Sequence, residues 1–335
     1  MEPLERGRKV SYCNPDVNAA RAAFAARPRG RVDKLTTVAD AVSRLIHDGD
    51  YVALGGFGGV RIPSAVMHEI LRQRRQDLGF AGHTATHTFQ VLAGGNGMGT
   101  GRTLARVDIS YVVGLEARGL SPHARRVMES GEIDFTEWSN YTLALRLKAA
   151  AMGVPFLPAR SLLGTDTFTN SAACVITCPF TGQRLTAVPA LFPDVAAIHV
   201  HEADRFGNCR LRGTSVSDLD LARAAKRLII TCERLIPEDE IRRDPTQTVI
   251  PFFLVDAVCE VPYGSYPGNM PYEYYSDEAH LRAWLEVEPD VERYRQWLDH
   301  HIYQTRDFTD YLDRCGGLRR LQELRLQERL LDRSE

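Results

Sequence analysis

Residues 51–73 read YVALGGFGGVRIPSAVMHEILRQ. The apolar tetrad Tyr51 to Leu54 has the length and composition of a buried strand, and it runs straight into Gly55, Gly56, Gly58 and Gly59. Glycine lets a backbone turn sharply and approach a neighbour closely, so this stretch predicts a strand, a tight loop and a helix. Pro63 is expected to open that helix, because the N–H it lacks would be unsatisfied there anyway. Amides of such a loop, aimed outward at the carboxyl end of a strand, can hold an anion or a developing oxyanion. The alternative is a turn with no ligand, although four glycines exceed what a turn needs.

Nucleotide-binding glycine motifs fail here. A dinucleotide fingerprint needs G-x-G-x-x-G, but after Gly56 and Gly58 the third position is Arg61, and no Gly-Lys-Ser/Thr ends the loop as in a P-loop.

Outward from the loop, helix and strand signals alternate. Thr37 opens a capping-box-like TVAD, and Val38, Ala41, Val42, Leu45 and Ile46 mark one helical face that Gly49 closes. Strands are expected at Leu78 to Ala81, Ile109 to Val113, VPFLPA (154–159), Leu185 to Val188, Ala196 to His201, Leu228 to Cys232 and Leu254 to Val258. Helices are expected at Ser121 to Ser130, Tyr141 to Met152 and Asp218 to Lys226, with a flexible GGNGMGTG at 94–101. Gly207-Asn208 reads as a hairpin turn at the sheet's edge. This alternation predicts an α/β fold, an open, mostly parallel sheet covered by helices. Leu318, Leu321, Leu324, Leu330 and Leu331 mark an amphipathic helical tail at the C-terminus. Residues 1–33, rich in Ala and Arg and broken by Pro15 and Pro28, read as an arm that packs on the body or on a neighbouring chain.

At 335 residues the chain can bury a full core. A net charge of -2 gives no reason to expect nucleic acid or an anionic membrane as partner. No apolar run approaches the ~20 residues of a membrane span, and MEPLERGRKV lacks the apolar region of a signal peptide, so a cytoplasmic location is expected. Seven scattered cysteines fit reduced thiols; Cys174 and Cys178 are the one close pair, and with no second pair at zinc spacing no metal site is expected. Cys232 and Cys259 sit in strand-like runs, as small hydrophobes do.

Several segments, taken in order, resemble one family: ALGGF with Arg61 and Pro63, MHEILRQ, GVPFLPARSLLG, AVPALFPDVAAIHVHEADRFGNCRLRG and CERLIPEDEIRRDPTQTVIPFFLVDAVCEVPYGSYPG. They look like class I CoA-transferases, and most like the A subunit of glutaconate CoA-transferase, over roughly residues 34–317. The resemblance implies a CoA-transferase/NagB-like fold, with 1–33 as an extension and 318–335 as a tail outside it. It implies transfer of CoA between carboxylic acids through a glutamate that attacks the acyl-CoA and becomes a glutamyl-CoA thioester. No permanent cofactor is implied; coenzyme A and acyl-CoA are substrates.

In two-subunit members that glutamate lies on the B subunit, in a Glu-Asn-Gly-like setting that this chain lacks. The acids to weigh here are Glu116 in VVGLEARG and Glu137 in FTEWSN, and neither has the expected neighbours. In related ring-opening CoA hydrolases, a functional glutamate on the A subunit falls close to the position of Asn140, after Ser139. Asn140 cannot be a nucleophile, but its amide can orient a substrate or the partner's glutamate; alternatively it caps the helix that follows.

The cleft is expected to involve Gly55, Gly56, Phe57, Gly58, Gly59, Arg61, His83, His87, Ser139 and Asn140. Arg61 stands at the family's arginine position and could pair with an acidic substrate or CoA phosphates, or fix the loop through carbonyls. His83 and His87 follow a strand, as cleft residues or ordinary loop residues, and their spacing without a third ligand argues against a metal. His199 and His201 share one face of a strand, where a structural role is expected, and PEDEIRRDP reads as a solvated helix start. The expected protein is the A subunit of a heteromeric CoA-transferase, working on a small carboxylic acid, with dicarboxylic acids among the candidates, and inactive alone. Hydrolysis, ring opening or decarboxylation of CoA thioesters on the same scaffold is the enzymatic alternative. A sugar-phosphate or acyl-CoA binding module is the other, though no helix-turn-helix precedes the fold as a sensor would require.

Overall fold

The computed structural model describes residues 2–98, 101–112, 114–115 and 119–331. The YVAL strand, Tyr51–Leu54, lies in the middle of the main sheet. On one side of it lie Leu78–Ala81, Leu104–Ile109 and Asp134–Glu137 in that order; on the other lie Val195–Ala203, Arg227–Leu235 and Ala257–Glu260. All of these pair in parallel, with Val52 opposite both Phe80 and Val195. The short strand Cys209–Arg210 adds an antiparallel edge to Val195–Ala203. Asp204 makes the intervening turn, accepting the N–H groups of Phe206, Gly207 and Asn208 at 2.8–2.9 Å.

Alternating residues of each strand enter two separate cores, as the period of two dictates. Val52, Leu54, Phe80, Val195 and Ile229 face helices Val38–Leu45, Ser64–Arg72 and Thr86–Ala93 and the C-terminal helices. Tyr51, Ala53, Ala196, Ile198 and Ile230 face helices Asn140–Met152 and Asp218–Ala224.

Several expectations change. The strand placed at Ile109 to Val113, whose last residue lies outside the described residues, is Leu104–Ile109 instead; Arg106 and Asp108 disguised it as polar, although Asp108 is fully buried. The strands at VPFLPA and Leu185 to Val188 leave the parallel sheet. Phe156–Ala159 and Arg184–Pro189 form, with Cys174–Thr177 and Glu5–Arg6, a separate antiparallel sheet; within it the turn at 178–183 is too short for the crossover that parallel pairing needs. HTATHTFQ runs into a helix, Thr86–Ala93, whose N-cap Ala85 offers no side-chain bond and so gave no start signal. At Leu254 to Val258 the strand begins only at Ala257.

The N-terminal arm packs on its own body. Helix Val17–Ala26 follows the Asp16 cap, and Arg27 binds the Asp256 carboxylate at 2.6 Å. The tail is helix Gly317–Leu331, docked by Arg320 on both oxygens of Asp277 at 2.9 Å and by buried Leu321 and Leu324, with Leu318 left exposed. The side chains of Leu330 and Leu331 lie outside the described residues.

Candidate functional site at the switch point of the sheet

The chain fills one half of the sheet from Tyr51–Leu54 outward and then returns to start the other half with Val195–Ala203 beside it. Ligands of open α/β sheets bind outside the carboxyl ends of strands where the order reverses in this way. The glycine loop sits there.

Its shape explains its glycines. Gly56 has φ +87°, and a Cβ on it would stand 2.5 Å from the Val60 carbonyl oxygen. A Cβ on Gly55 would meet the Asp218 carboxylate at 2.6 Å. Pro63 is the N-cap of the next helix, which begins at Ser64, one residue later than expected.

The loop amides point inward, which corrects the reading of the loop as an anion cradle. Gly55 donates to the Ala197 carbonyl and Gly56 to the Asp218 carboxylate; Phe57 and Val60 bond to each other across the tip. Gly58 donates to the His83 carbonyl at 3.4 Å and Arg61 to that of Asn269 at 2.9 Å. Among the described residues the Gly59 N–H is left as the loop's available donor.

Arg61 is fully buried, so it is a brace of the loop and not a surface hook for an anion. Its guanidinium bonds the Thr214 carbonyl and sits 3.1 Å from the Asp218 carboxylate, which also accepts from Ser215. Its Nε and Nη1 are buried without a hydrogen-bond partner.

A second layer joins neighbouring strand ends. His83 bonds Ser217 Oγ at 2.9 Å, linking the loop after Leu78–Ala81 to the start of helix Asp218–Ala224. Burial pushes the His83 imidazole down to about 4, with Asp218 opposing that shift, so the ring is neutral at pH 7. Asn140 Nδ2 donates to Thr84 Oγ1 at 3.1 Å, and its Oδ1 accepts from Ser110 Oγ at 3.0 Å. Thr84 holds a strained φ of +44°.

Asn140 is not the helix cap. Ser139 is, in a capping box: its Oγ accepts from Thr142 N at 3.1 Å while Thr142 Oγ1 accepts from Ser139 N at 3.0 Å. This releases the half-buried Asn140 amide to bridge the two strand-end loops.

The other sequence-derived candidates separate from this cluster. Glu137 is held by Asn170 at the sheet's edge. His87 lies on a helix and turns toward Gln90, at 2.7 Å, and the Trp284 ring. Glu116 lies outside the described residues. His199 bonds Thr231 and Glu233, and His201 bonds the Pro271 carbonyl and the Arg212 amide, both in structural roles. Ser217 and Asp218 escaped the sequence reading; a helix start following a strand on the opposite half of the sheet was the available signal.

Beneath the loop a cavity of about 10 Å3, lined by Gly55, Gly56, His83, Leu143, Ser217 and Asp218, has room for about one water molecule.

Residues 35–261 match the family described as Coenzyme A transferase. The chain belongs to that family. The A subunit of 3-oxoadipate CoA-transferase from Pseudomonas knackmussii is 36% identical over 83% of this chain and 96% of its own length. The crystal structure of glutaconate coenzyme A-transferase from Acidaminococcus fermentans superposes with a TM-score of 0.82 at 32% identity, covering 87% of this chain and 95% of that one. A variant of the decarboxylase AibA/AibB is similar at 30% identity and a TM-score of 0.70, over 80% of this chain and 98% of its own. As a CoA-transferase chain of the A type, the protein places its glycine loop and Asn140 at the carboxyl ends of the family's parallel sheet. Among the described residues no helix is long and apolar enough to cross a membrane.

Proposed function

We propose that this chain forms one wall of a shared active site, and that a B subunit brings the glutamate that carries CoA. One observation carries the reading. The strand-end cluster offers amide, hydroxyl and neutral imidazole groups, while among the described residues its carboxylate, Asp218, is buried and engaged by Arg61, Gly56 and Ser215. Such a set can position and hydrogen-bond a substrate but has no free acid to attack it.

In this scheme the partner's carboxylate attacks the acyl-CoA carbonyl and expels the CoA thiolate, giving a mixed anhydride. The thiolate then attacks the glutamyl carbonyl, releasing the first acid and leaving a glutamyl-CoA thioester. A second acid reverses the two steps and leaves as its own CoA ester. Asn140, the Gly59 N–H and Phe57 at the loop tip line the outer side, where they orient the acid or the partner's glutamate; buried Gly55, Gly56 and Gly58 shape the loop, and Ser139 and Arg61 hold that wall in place. Small dicarboxylic acids are the proposed substrates, in keeping with the acids in the relatives' names. A cytoplasmic location, and the division into an arm at 1–33, a body at 34–317 and a tail at 318–335, belong to the same proposal.

The test is to assay the purified chain alone and with its B partner. The chain alone should transfer no CoA, and the complex given acyl-CoA should hold a CoA adduct on the partner that hydroxylamine removes. Transfer by the chain alone would overturn the shared-site reading. A second reading, decarboxylation on the same scaffold, is favoured by the likeness to AibA/AibB; it requires no adduct and a product that keeps its CoA.

A further inference from the structure

Far along the chain from the glycine loop, three potential metal ligands converge in the C-terminal helical layer. His280 lies in the first turn of helix Glu278–Val287, His301 in the π-turn Asp299–Tyr303, and Cys315 caps helix Phe308–Arg314. One ligand atom from each lies within 4.8 Å of the others, and His280 Nε2 is 4.0 Å from Cys315 Sγ.

We propose that His280, His301 and Cys315 bind one zinc ion that pins this helical layer together. Zinc takes thiolate sulfur at about 2.3 Å and imidazole nitrogen at about 2.0–2.1 Å in a tetrahedron, so its ligand atoms stand roughly 3.3–3.7 Å apart. Closing the triad onto an ion asks for about 1 Å of side-chain movement on that geometry. His301 is already set for the task. Its Nδ1 donates to the Trp297 carbonyl at 3.0 Å, which fixes the tautomer and leaves the lone pair on Nε2, the usual outer support of a zinc-bound histidine. His280 Nε2 faces the Tyr311 hydroxyl at 3.0 Å, which offers an oxygen for the fourth position. The backbone around His280 is anchored, because Asp277 accepts from its N–H and is gripped in turn by Arg320 and by the Tyr266 hydroxyl.

The surroundings suit a structural ion. Trp284, Trp297, Tyr266 and Tyr311 pack around His280 with ring centroids 5.5–6.0 Å away, which excludes water and strengthens the bonds to a cation. His280 and Cys315 are only partly buried, so an ion has a route in. A borderline-soft cation satisfies two imidazoles and a thiolate better than magnesium or calcium, which prefer oxygen. The π-turn is itself informative, since such widened turns gather at functional sites. Separations of 21 and 14 residues match no zinc motif, which is why cysteine spacing alone argues against a metal.

The experiment uses the full-length chain, in complex with its B partner if that is how it is isolated. It is stripped with a chelator, then titrated with Co2+ and with Zn2+. One equivalent of Co2+ should give a thiolate-to-cobalt charge-transfer band and the intense visible bands of a tetrahedral site, and Zn2+ should displace it. Zinc should bind at one per chain and raise the thermal midpoint of the stripped protein. Cys315→Ser should abolish the charge-transfer band and weaken zinc by at least about 100-fold, while Cys178→Ser, in the turn after strand Cys174–Thr177, leaves both intact. Should Cys315→Ser fold poorly, the wild-type spectrum and the metal-induced thermal shift still decide. No charge-transfer band at one equivalent, or the same zinc content and thermal shift in Cys315→Ser, would overturn the site.

Discussion

Among the described residues two arginine–aspartate pairs are fully buried, and they are built differently. Arg146 and Asp108 lie beneath the sheet with every polar group answered. The guanidinium bonds Asp108, Ser11 Oγ and the Pro189 carbonyl and stacks on Trp138 at 4.3 Å, while Asp108 also accepts from Trp138 and Tyr51. Arg61 and Asp218 lie under the glycine loop, where Arg61 has a φ of +53° and leaves Nε and Nη1 without partners. A satisfied network fixes one packing of arm, sheet and helix, whereas a half-satisfied one in a strained loop stores cost at the site. The first pair reads as architecture and the second as part of the proposed active-site wall.

The sharpest way to break that contrast is to replace each arginine with methionine. Arg146→Met leaves the Asp108 charge buried and strips three hydrogen-bonded contacts, so it should cost about 3–5 kcal/mol in urea unfolding. Arg61→Met removes fewer bonds and also removes two buried unpaired donors, so its loss should be smaller, about 1–3 kcal/mol. The order inverts for activity: in the assembled enzyme Arg61→Met should lower kcat/KM roughly 100-fold by displacing the loop, while folded Arg146→Met stays near wild type. Equal stability losses, or an unaffected Arg61→Met enzyme, would erase the distinction.

Glu288 sharpens the same contrast from the other side, as a fully buried carboxylate served by neutral donors. It accepts from Gln90 Nε2 and Ser121 Oγ at 2.6 Å and from the His123 N–H. Burial raises it from 4.5 to about 7, against those hydrogen bonds and the charge of Arg126. Between those values the folded state holds a proton that the unfolded chain has released, so stability is full below about 4.5 and is lost as pH rises through about 7. Glu288→Gln keeps the shape without the ionisation. Relative to wild type it should gain roughly 2–3 kcal/mol between pH 4.5 and pH 8, read from urea unfolding across that range. A constant difference would mean that Glu288 ionises as easily in the fold as outside it.

What the sequence disclosed follows the range of the forces involved. The strand at Leu78–Ala81, the glycine loop and the helix closed by Gly153 were legible because apolar runs and caps are local signals. Leu104–Ile109 was not, because Asp108 becomes acceptable in a buried strand only through Arg146, 38 residues away. At the site, Asn140 was visible as a residue out of place for a nucleophile, but its freedom from capping depended on Ser139 and Thr142 closing the capping box. Asp218 was invisible for the same reason as Asp108, since the loop that gives it a role lies 162 residues earlier. Topology brings these groups together, and no window along the chain contains both.

The smallest effect concerns two adjacent residues with opposite assignments. Ser139→Ala deletes a helix cap and should cost about 1 kcal/mol of stability, with little change in kcat. Asn140→Ala deletes no cap but unpairs the hydroxyls of buried Thr84 and half-buried Ser110, so its stability loss should be similar, about 1–2 kcal/mol. If Asn140 orients substrate or the partner's glutamate, its loss should also lower kcat/KM of the assembled enzyme roughly 10- to 100-fold. The two variants thus divide one short segment into a residue that holds the wall and a residue that faces the reaction. A stability loss at Asn140 with activity intact would return it to a structural role and leave the glycine loop as the wall's main contribution.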